Sequence, residues 1–220
     1  MSFWTVVAAI VAAGVVLWVG PVMIAVLAFA LEDLCFARFG ERRLPPAVAV
    51  RNHAASVVIP NWNGRDLLEK FLPSVVIALA AGHSDNEVIV VDNASTDSSV
   101  EFLRERFPGV RVLELRKNYG FGDGSNRGFR AAKNDVVVLL NNDMQVEPDF
   151  LPPLLEPFAD REVFSVSCQI FLSNPARRRE ETGLTETWWE RGSLRASHRA
   201  DGKVTLPYPC AYPGGGSSAF

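Results

Sequence analysis

Residues 135–143 read DVVVLLNND, an apolar run that ends abruptly in Asn141, Asn142 and Asp143. Continuous apolar runs of this length are typical of strands in a parallel sheet, which is covered on both faces. In open α/β sheets, ligands bind beyond the carboxyl ends of the strands, so these polar side chains are expected to lie in a cleft. A carboxylate there can hold Mg²⁺ or Mn²⁺ against a diphosphate, because hard cations take oxygen ligands. The pattern therefore predicts that Asp143 is a metal ligand.

A second apolar run upstream ends in the same way. Residues 87–97 read EVIVVDNASTD, and their apolar stretch stops at Asp92. Carboxyl ends of parallel strands meet at one edge of a sheet, where the two acidic residues are expected to face one site. Together the two runs indicate a binding site for a nucleotide diphosphate.

Strand-like and helix-like segments alternate between residue 55 and about residue 171. The predicted strands are 55–60, 87–92, 110–115, 135–140 and 162–171, and the predicted helices are 66–81, 97–107, 125–133 and 148–159. This alternation predicts an α/β fold with a mostly parallel sheet. From Leu172 onward the pattern weakens, and residues 172–220 are expected to form an acceptor-side region in which Trp188 and Trp189 contact a sugar or a lipid.

Composition and charge narrow the classes of function. A chain of 220 residues with 48% apolar residues has room for one core and an appendage. The net charge of −3 provides no basic field, which argues against nucleic acid as a partner. The three cysteines are far apart, which is not the spacing of a zinc site or of a disulfide framework.

The amino-terminal segment is predicted to cross a membrane. From Phe3 to Leu31 the chain has no charged residue, and such a run exceeds the roughly 20 residues that a bilayer requires. We therefore assign residues 1–33 to a transmembrane anchor and residues 34–54 to a juxtamembrane linker. Gly20-Pro21 is expected to kink or end a first helical piece, which would leave two shorter segments.

The orientation of this anchor follows from its flanks. Four arginines follow the apolar run, Arg38, Arg42, Arg43 and Arg51, whereas no basic residue precedes it. This bias predicts a single-pass protein of the cytoplasmic (inner) membrane with its carboxyl-terminal domain in the cytoplasm. A cleaved signal peptide is the alternative, because Ala28-Phe29-Ala30 resembles a cleavage site, although no basic residue begins the run.

Four segments in order resemble one known family. They are VVIPNWNG (57–64), VDNASTDSS (91–99), NYGFGDGSNRGF (118–129) and LLNNDMQVEPDF (139–150). In this order, each at a strand end, they resemble the family 2 glycosyltransferases. The resemblance implies a GT-A nucleotide-diphospho-sugar transferase fold over residues 55–220, which is Rossmann-like and preceded here by the transmembrane helix.

The resemblance also implies roles for individual residues. A nucleotide-diphospho-sugar donor would contact the ends of the first two strands, the glycine-rich segment and the Asn-Asn-Asp motif. The implied donor-binding residues are Pro60, Asn61, Asn63, Asp92, Asn93, Ser95, Asn118, Gly120, Gly122, Asn126, Asn141 and Asn142. Asp143 would hold Mg²⁺ or Mn²⁺ as the single carboxylate of its motif, because Asn occupies the motif's first position.

The implied reaction transfers a sugar, with inversion, to a saccharide or lipid-linked acceptor. A base must take the acceptor's proton, and the family carries it downstream of a glycine-rich strand that PGGGSSAF (213–220) resembles. The resemblance thus places the general base beyond Phe220, with Glu180 and Glu181 as minor substitutes within the sequence.

Two other classes of function stay open at this stage. One is a nucleotide-sugar-binding fragment or pseudoenzyme that lacks the base. The other is an NAD(P)-dependent oxidoreductase, suggested by the glycines from Gly120 to Gly128. Their spacing is G-x-G-x-x-x-G instead of G-x-G-x-x-G, and two strand–helix units precede them, which weakens that interpretation.

Overall fold

The computed structural model describes residues 2–39, 54–171, 185–198 and 210–220. The chain divides into two compact units, Met1–Ala47 and Val48–Phe220, which are described separately. Glu180 and Glu181 lie outside the described residues. So do the arginines that follow the apolar run, with the exception of Arg38.

The described part of the first unit is one helix, α1 (Phe3–Phe39), of 37 residues. It runs through Pro21, so the first helical piece does not end at Gly20-Pro21, and the alternative of a kink there stays a prediction. Proline removes one backbone donor, and a helix of this length keeps its remaining hydrogen bonds. The segment Phe3–Glu32 is long and apolar enough to cross a membrane, and its 30 residues extend roughly 45 Å. The expected apolar helix is therefore present.

The second unit is built on a mostly parallel sheet, as the alternating pattern predicted. Its four parallel strands are β1 (Ala55–Asn61), β2 (Glu87–Asp92), β3 (Arg111–Glu114) and β4 (Val136–Leu140). Two short antiparallel strands, β5 (Val166–Ser167) and β8 (Ser217–Ala219), complete one edge. The order across the sheet is β3-β2-β1-β4-β8-β5.

Helices cover both faces of this sheet. They are α2 (Arg65–Ala80), α3 (Ser99–Arg106), α4 (Gly120–Ala131) and α5 (Leu151–Leu155), the last followed by a 3₁₀ turn at Glu156–Ala159. Side chains alternate along β1, so Val57 and Ile59 pack in the cluster under α2, α3 and α5, whereas Val58 packs under α4. Continuous apolar strands arise because both sides of each strand are buried.

Two predicted segments differ from the structure. Helix α4 begins at Gly120 rather than at Ser125, so the glycine-rich segment is helical. Of the strand predicted over residues 162–171, only Val166–Ser167 forms strand β5, because its partner β8 is only three residues long. An edge strand can extend only as far as the strand that pairs with it.

The region after Leu172 contains a hairpin that the sequence pattern did not predict. Strand β6 (Thr185–Glu190) pairs antiparallel with β7 (Ser193–His198). Arg191 and Gly192 form the two-residue turn with φ of 50° and 77°. Two positive φ values match the twist of the paired strands, and glycine adopts them without steric cost.

Candidate functional site

The sheet places a crevice between β1 and β4. The chain runs from β1 to β2 and β3 on one side, and then returns to β4 on the other side of β1. Such a reversal of strand order leaves a gap at the carboxyl ends of the two central strands, where open α/β sheets bind ligands. Asn61 ends β1, and Asn141, Asn142 and Asp143 follow β4. The structure therefore brings the first and last predicted motifs to one crevice.

A chain of side-chain hydrogen bonds joins the ends of three neighbouring strands. The amide of Asn142 donates to Oδ1 of Asn61 at 2.8 Å. The amide of Asn61 donates in turn to Oδ1 of Asp92 at 3.2 Å and to Oγ of Ser95 at 3.3 Å. Asn61 and Asp92 are each 2% exposed. Buried polar groups that are fully hydrogen-bonded fix one arrangement of the crevice wall.

Asp92 is held at the end of β2 by the loop that follows it. Its Oδ2 accepts the backbone N–H of Ser95 at 2.9 Å, so both carboxylate oxygens are engaged. Each carboxylate oxygen has two lone pairs, which leaves acceptor capacity for a ligand. Asp92 thus organises the loop in the structure, in addition to the donor contact that the resemblance implies.

The loops after β1 and β2 bind one another. Oγ of Ser95 accepts the backbone N–H of Asn63 at 2.8 Å, and Oδ1 of Asn63 accepts that of Thr96 at 2.7 Å. Asn63 and Ala94 have positive backbone φ angles of 50° and 59°, which residues other than glycine rarely adopt. Positive φ outside glycine persists where surrounding contacts hold it, as the reciprocal hydrogen bonds do here.

Asp97 closes the same loop against the start of α2. It accepts hydrogen bonds from the backbone N–H of Arg65 at 2.8 Å and from Oγ of Ser99 at 2.5 Å. Burial raises the pKa of Asp97, but the hydrogen bonds from Ser99 and Arg65 outweigh it and lower the pKa below its ordinary value of 3.8. Asp97 therefore stabilises the loop as a carboxylate. Sequence reasoning assigned it only to a helix start.

The Asn-Asn-Asp motif presents one free carboxylate. The backbone N–H of Asn141 donates to the carbonyl of Gly216 at 2.8 Å, and a Cβ on Gly216 would lie 2.6 Å from Nδ2 of Asn141. Asp143 is exposed and, within the described residues, has no hydrogen-bond or ion-pair partner. Its oxygens are available to a ligand at the mouth of the crevice.

The oxygen atoms at this motif suit a hard cation that is also bound by a ligand. No cluster of three or more His, Cys, Asp or Glu residues occurs among the residues that the structure describes. Mg²⁺ commonly takes one or two carboxylates and completes its shell with water and substrate phosphates. Asp143 meets this requirement, so a metal held there would depend on the phosphates of a bound nucleotide.

The glycine-rich segment meets the crevice through Asn93. Its Oδ1 accepts the backbone N–H of Tyr119 at 3.3 Å, and its amide donates to the carbonyl of Gly120 at 3.4 Å. A Cβ on Gly124 would lie 2.5 Å from Nδ2 of Asn93, so glycine leaves the space that this side chain fills. Asn93 therefore connects the end of β2 with the start of α4.

The other predicted residues of this segment differ in their surroundings. Oδ1 of Asn118 accepts the backbone N–H of Gly120 at 2.7 Å. Gly122 and Asn126 are exposed, and a Cβ on Gly122 would contact nothing within 4 Å. Gly124 faces the sheet two residues before Asn126, so Asn126 lies on the outer side of α4, apart from the hydrogen-bonded network.

Two cations beside this segment were missed in the sequence. The Arg127 guanidinium lies 4.0 Å from the ring centroid of Tyr119, and Nζ of Lys117 lies 5.1 Å from it. Arg127 also binds Asp123 at 3.2 Å. Rings attract cations over their faces. The sequence signal that could have identified Lys117 is its position directly before the predicted Asn118 and next to the aromatic Tyr119.

A separate cavity of about 590 Å³ lies at the opposite end of the strands, where β2 and β3 begin. Its lining includes Leu79, Glu87 and Arg111, which lie at the end of α2 and at the starts of β2 and β3. This position is away from the carboxyl ends of the strands. The cavity is therefore not the crevice that the predicted motifs share.

Comparison with protein families and known proteins adds to this geometry. Residues 56–213 match the family model described as glycosyl transferase family 2. An undecaprenyl-phosphate 4-deoxy-4-formamido-L-arabinose transferase from Edwardsiella ictaluri (strain 93-146) is 38% identical over 105 residues, which are 46% of this chain and 32% of that protein. A dolichol-phosphate mannosyltransferase from Pyrococcus furiosus is 35% identical over 104 residues, 46% of this chain and 29% of that protein. The chain thus spans about a third of the length of these relatives.

One solved structure shares the fold over most of the chain. It is the mannosyltransferase PcManGT from Pyrobaculum calidifontis in complex with GDP-Man and Mn²⁺, with a TM-score of 0.50 and 24% identity. The match covers 67% of this chain and 44% of that one. This likeness confirms the expected GT-A architecture.

Proposed function

Because the chain belongs to glycosyl transferase family 2, we propose that its second unit binds a nucleotide-diphospho-sugar and transfers the sugar to a saccharide or lipid-linked acceptor. The observation that carries this proposal is the hydrogen-bonded row Asn142–Asn61–Asp92 in the crevice, with the free carboxylate of Asp143 beside it. A rigid polar wall next to one unpaired carboxylate suits a nucleotide whose diphosphate brings its own metal.

The proposed donor site extends along the carboxyl edge of the sheet. The nucleoside lies against the loops after β1 and β2, the glycine-rich start of α4 borders it, and the diphosphate reaches the motif after β4. The proposed donor-binding residues are Pro60, Asn61, Asn63, Asp92, Asn93, Ser95, Asn118, Gly120, Gly122, Asn141 and Asn142. Asn126 is left out of this set because it lies on the outer side of α4. Lys117 adds positive charge beside this row and favours an anionic ligand, whereas the charge of Arg127 is offset by Asp123.

Asp143 holds Mg²⁺ or Mn²⁺ in this proposal. A bound metal offsets negative charge that grows on the departing nucleoside diphosphate. The Mn²⁺ in the complex of PcManGT supports a divalent metal in this fold. The Asn-Asn-Asp motif keeps the carboxylate at the mouth of the crevice because Asn142 is fixed to Asn61 and Asn141 to Gly216.

The acceptor is proposed to be lipid-linked or a saccharide at a membrane. The two curated relatives are named for undecaprenyl-phosphate and dolichol-phosphate, which are lipid phosphates. Helix α1 provides a segment that is long enough to hold this chain in a bilayer. Arg38 and the arginines after it favour a cytoplasmic catalytic unit. The attacking atom is either a phosphate oxygen of a lipid phosphate, which is already anionic, or a saccharide hydroxyl oxygen, whose proton passes to a base. Attack on the anomeric carbon opposite the leaving nucleoside diphosphate inverts the configuration.

The decisive experiment measures donor binding by the full chain in detergent. Isothermal titration with UDP, GDP and dTDP, each with and without Mn²⁺, is expected to show metal-dependent binding of at least one nucleotide. Asp143→Ala removes the proposed metal ligand and should abolish that dependence. Asp149→Ala is the matched control, because it removes another exposed carboxylate from the same segment.

Three results would contradict the proposal. Metal-independent binding in the unaltered chain, or equal binding by Asp143→Ala, would remove the metal role of Asp143. Binding of NAD(P)H in place of every nucleoside diphosphate would favour the oxidoreductase alternative. Transfer from the matching nucleotide-sugar to membrane-extracted lipid acceptors would exclude the nucleotide-sugar-binding alternative, whereas binding without transfer is the outcome that a general base beyond Phe220 implies.

A further inference from the structure

The β6–β7 hairpin has two chemically different faces. Its register places Trp189 opposite Leu194 and Thr187 opposite Ala196, so these four side chains share one face. None of them is charged. We call these four residues the apolar face of the hairpin.

The other face is polar. It carries Trp188 opposite Arg195, and Arg195 binds Glu190 at 3.3 Å. Glu186 lies on the same side, two residues before Trp188. The hairpin is therefore amphipathic along its outer part: its acidic and arginine side chains lie on one side, whereas Thr185 and His198 pair at the root on the other. The exposed turn residue Arg191 lies at its tip.

The apolar face is open to its surroundings. Trp189 is 74% exposed and Leu194 is 60% exposed within the described part of the chain. Burying such side chains away from water is favourable. Tryptophan combines a large apolar ring with an N–H donor, and it concentrates where a bilayer meets water. These properties point to a lipid interface as the surface that covers this face.

The root of the hairpin is fixed next to the crevice. Thr185 is 3% exposed, and its Oγ1 accepts the backbone N–H of Tyr212 at 2.9 Å. The backbone N–H of Ala211 donates to the carbonyl of Thr185 at 2.9 Å. The same segment continues to Gly216, whose carbonyl accepts the N–H of Asn141. The hairpin therefore projects from the end of the sheet that carries the Asn-Asn-Asp motif.

The covalent chain limits how far a bilayer that holds α1 can lie from the start of the second unit. Helix α1 ends at Phe39, and the second unit is described from Ala54 onward. The fifteen steps between these residues extend at most about 54 Å. A bilayer that holds α1 is thus kept near the second unit by the covalent chain.

From the amphipathic pairing and the exposed tryptophan, we propose that the apolar face of the hairpin enters the headgroup region of the bilayer that holds α1. Trp189 and Leu194 contact the upper acyl chains, and Arg191 lies among lipid phosphates. This contact turns the edge with Asn141 toward the lipid surface. The proposal rests on the membrane anchor within the proposed function, and does not depend on the donor or the reaction.

The test uses the full chain in nanodiscs of phosphatidylethanolamine and phosphatidylglycerol. A bimane label on Leu194→Cys reports contact with lipids that carry a nitroxide near the headgroup. Cys35→Ser and Cys210→Ser remove two of the three native thiols. Burial raises the pKa of the remaining thiol, that of Cys168, to about 11, which disfavours its labelling. Glu186→Cys on the polar face and Glu101→Cys on α3 are the matched controls, since both side chains are exposed.

The label at position 194 is expected to lose most of its fluorescence, whereas those at positions 186 and 101 keep theirs. Equal quenching at 194 and 101 would overturn the proposal. Equal quenching at 194 and 186 would overturn the amphipathic orientation. A label at 194 that is shielded from water-soluble iodide but unaffected by nitroxide lipids would assign the face to another protein surface, such as a second copy. Co-migration of the chain with nanodiscs tests the α1 anchor separately.

Discussion

Asn142 donates its amide hydrogen to Oδ1 of Asn61 at 2.8 Å, although 81 residues separate them in the chain. This bond joins the segment after β4 to the end of β1 across the gap where the strand order reverses. It connects the two motifs that would hold opposite ends of a nucleotide diphosphate. The crevice is therefore shaped before a ligand enters, which lowers the ordering cost of binding.

Replacing Asn61 tests this connection. Asn61→Ala leaves Asn142 without its acceptor and removes a donor from Asp92 and Ser95. We expect the free energy of unfolding to fall by roughly 1–3 kcal/mol, because buried polar groups lose their partners, and nucleotide binding to weaken. Urea unfolding and titration measure the two effects. Gln145→Ala, at an exposed position after the motif, is the control, and an Asn61→Ala protein as stable as this control would refute the argument.

Helix α4 can be tested through two of its glycines. A Cβ on Gly128 would lie 2.4 Å from Cγ1 of Val58 and 2.8 Å from Cγ2 of Val91, whereas one on Gly122 would contact nothing within 4 Å. Gly128→Ala should therefore destabilise the fold by roughly 1–3 kcal/mol through overpacking. Gly122→Ala should stabilise it by roughly 0.5–1 kcal/mol through its better helix propensity. Thermal or urea unfolding distinguishes the signs, and a neutral Gly128→Ala would show that α4 can move away from the sheet.

Asp97 predicts a pH dependence of stability. Its hydrogen bonds lower its pKa in the folded chain below the ordinary value of 3.8. A lowered pKa contributes stability that is fully present above about pH 3.8 and is lost as the pH falls through the folded pKa. Asp97→Asn should therefore be less stable than the unaltered chain at pH 7, and the difference should shrink below pH 3.8.

Urea midpoints measured between pH 3 and pH 7 check this expectation, with Asp149→Asn as an exposed control. A stability difference that stays constant over this pH range would mean that Asp97 stabilises the loop independently of its charge.

Cys168 should resist alkylation. Burial raises the pKa of its thiol to about 11, so at pH 8 roughly one thiol in a thousand is ionised. Iodoacetamide at pH 8 is expected to leave Cys168 unmodified in the folded chain and to modify it in urea. Peptide mass spectrometry reads each cysteine separately. Modification of Cys168 as fast as that of the exposed Cys35 would indicate that the sheet edge opens readily.

The parallel sheet was predictable because its strands are determined locally. Continuous apolar runs such as 135–140 carry the signal of a strand buried on both faces, and β4 was found over Val136–Leu140. The meeting of Asp92, Asn61 and Asn142 at one edge also followed, since parallel strands end at a common side.

What the sequence did not reveal depends on distant contacts. Helix α4 begins at Gly120 because Asn93 holds the segment from the end of β2, which no local propensity records. Strand β5 is short because β8 sets its length across the sheet. The β6–β7 hairpin depends on a tight turn at Arg191-Gly192 that lacks the usual Asn-Gly signal.

The position of β8 between β4 and β5 has a consequence for biosynthesis. Leu139 pairs with Ser218, so a strand that is translated about eighty residues later fills a place inside the sheet. A ribosome-bound chain would expose the open flank of β4 until that strand emerges. Every residue proposed to bind the donor precedes Asp149, so most of the nucleotide crevice can assemble on the nascent chain, and Asn141 gains its bond to Gly216 only when the last strand arrives. We expect nucleotide to act on such an intermediate as a folding ligand, by selecting nascent chains whose first four strands are already in register.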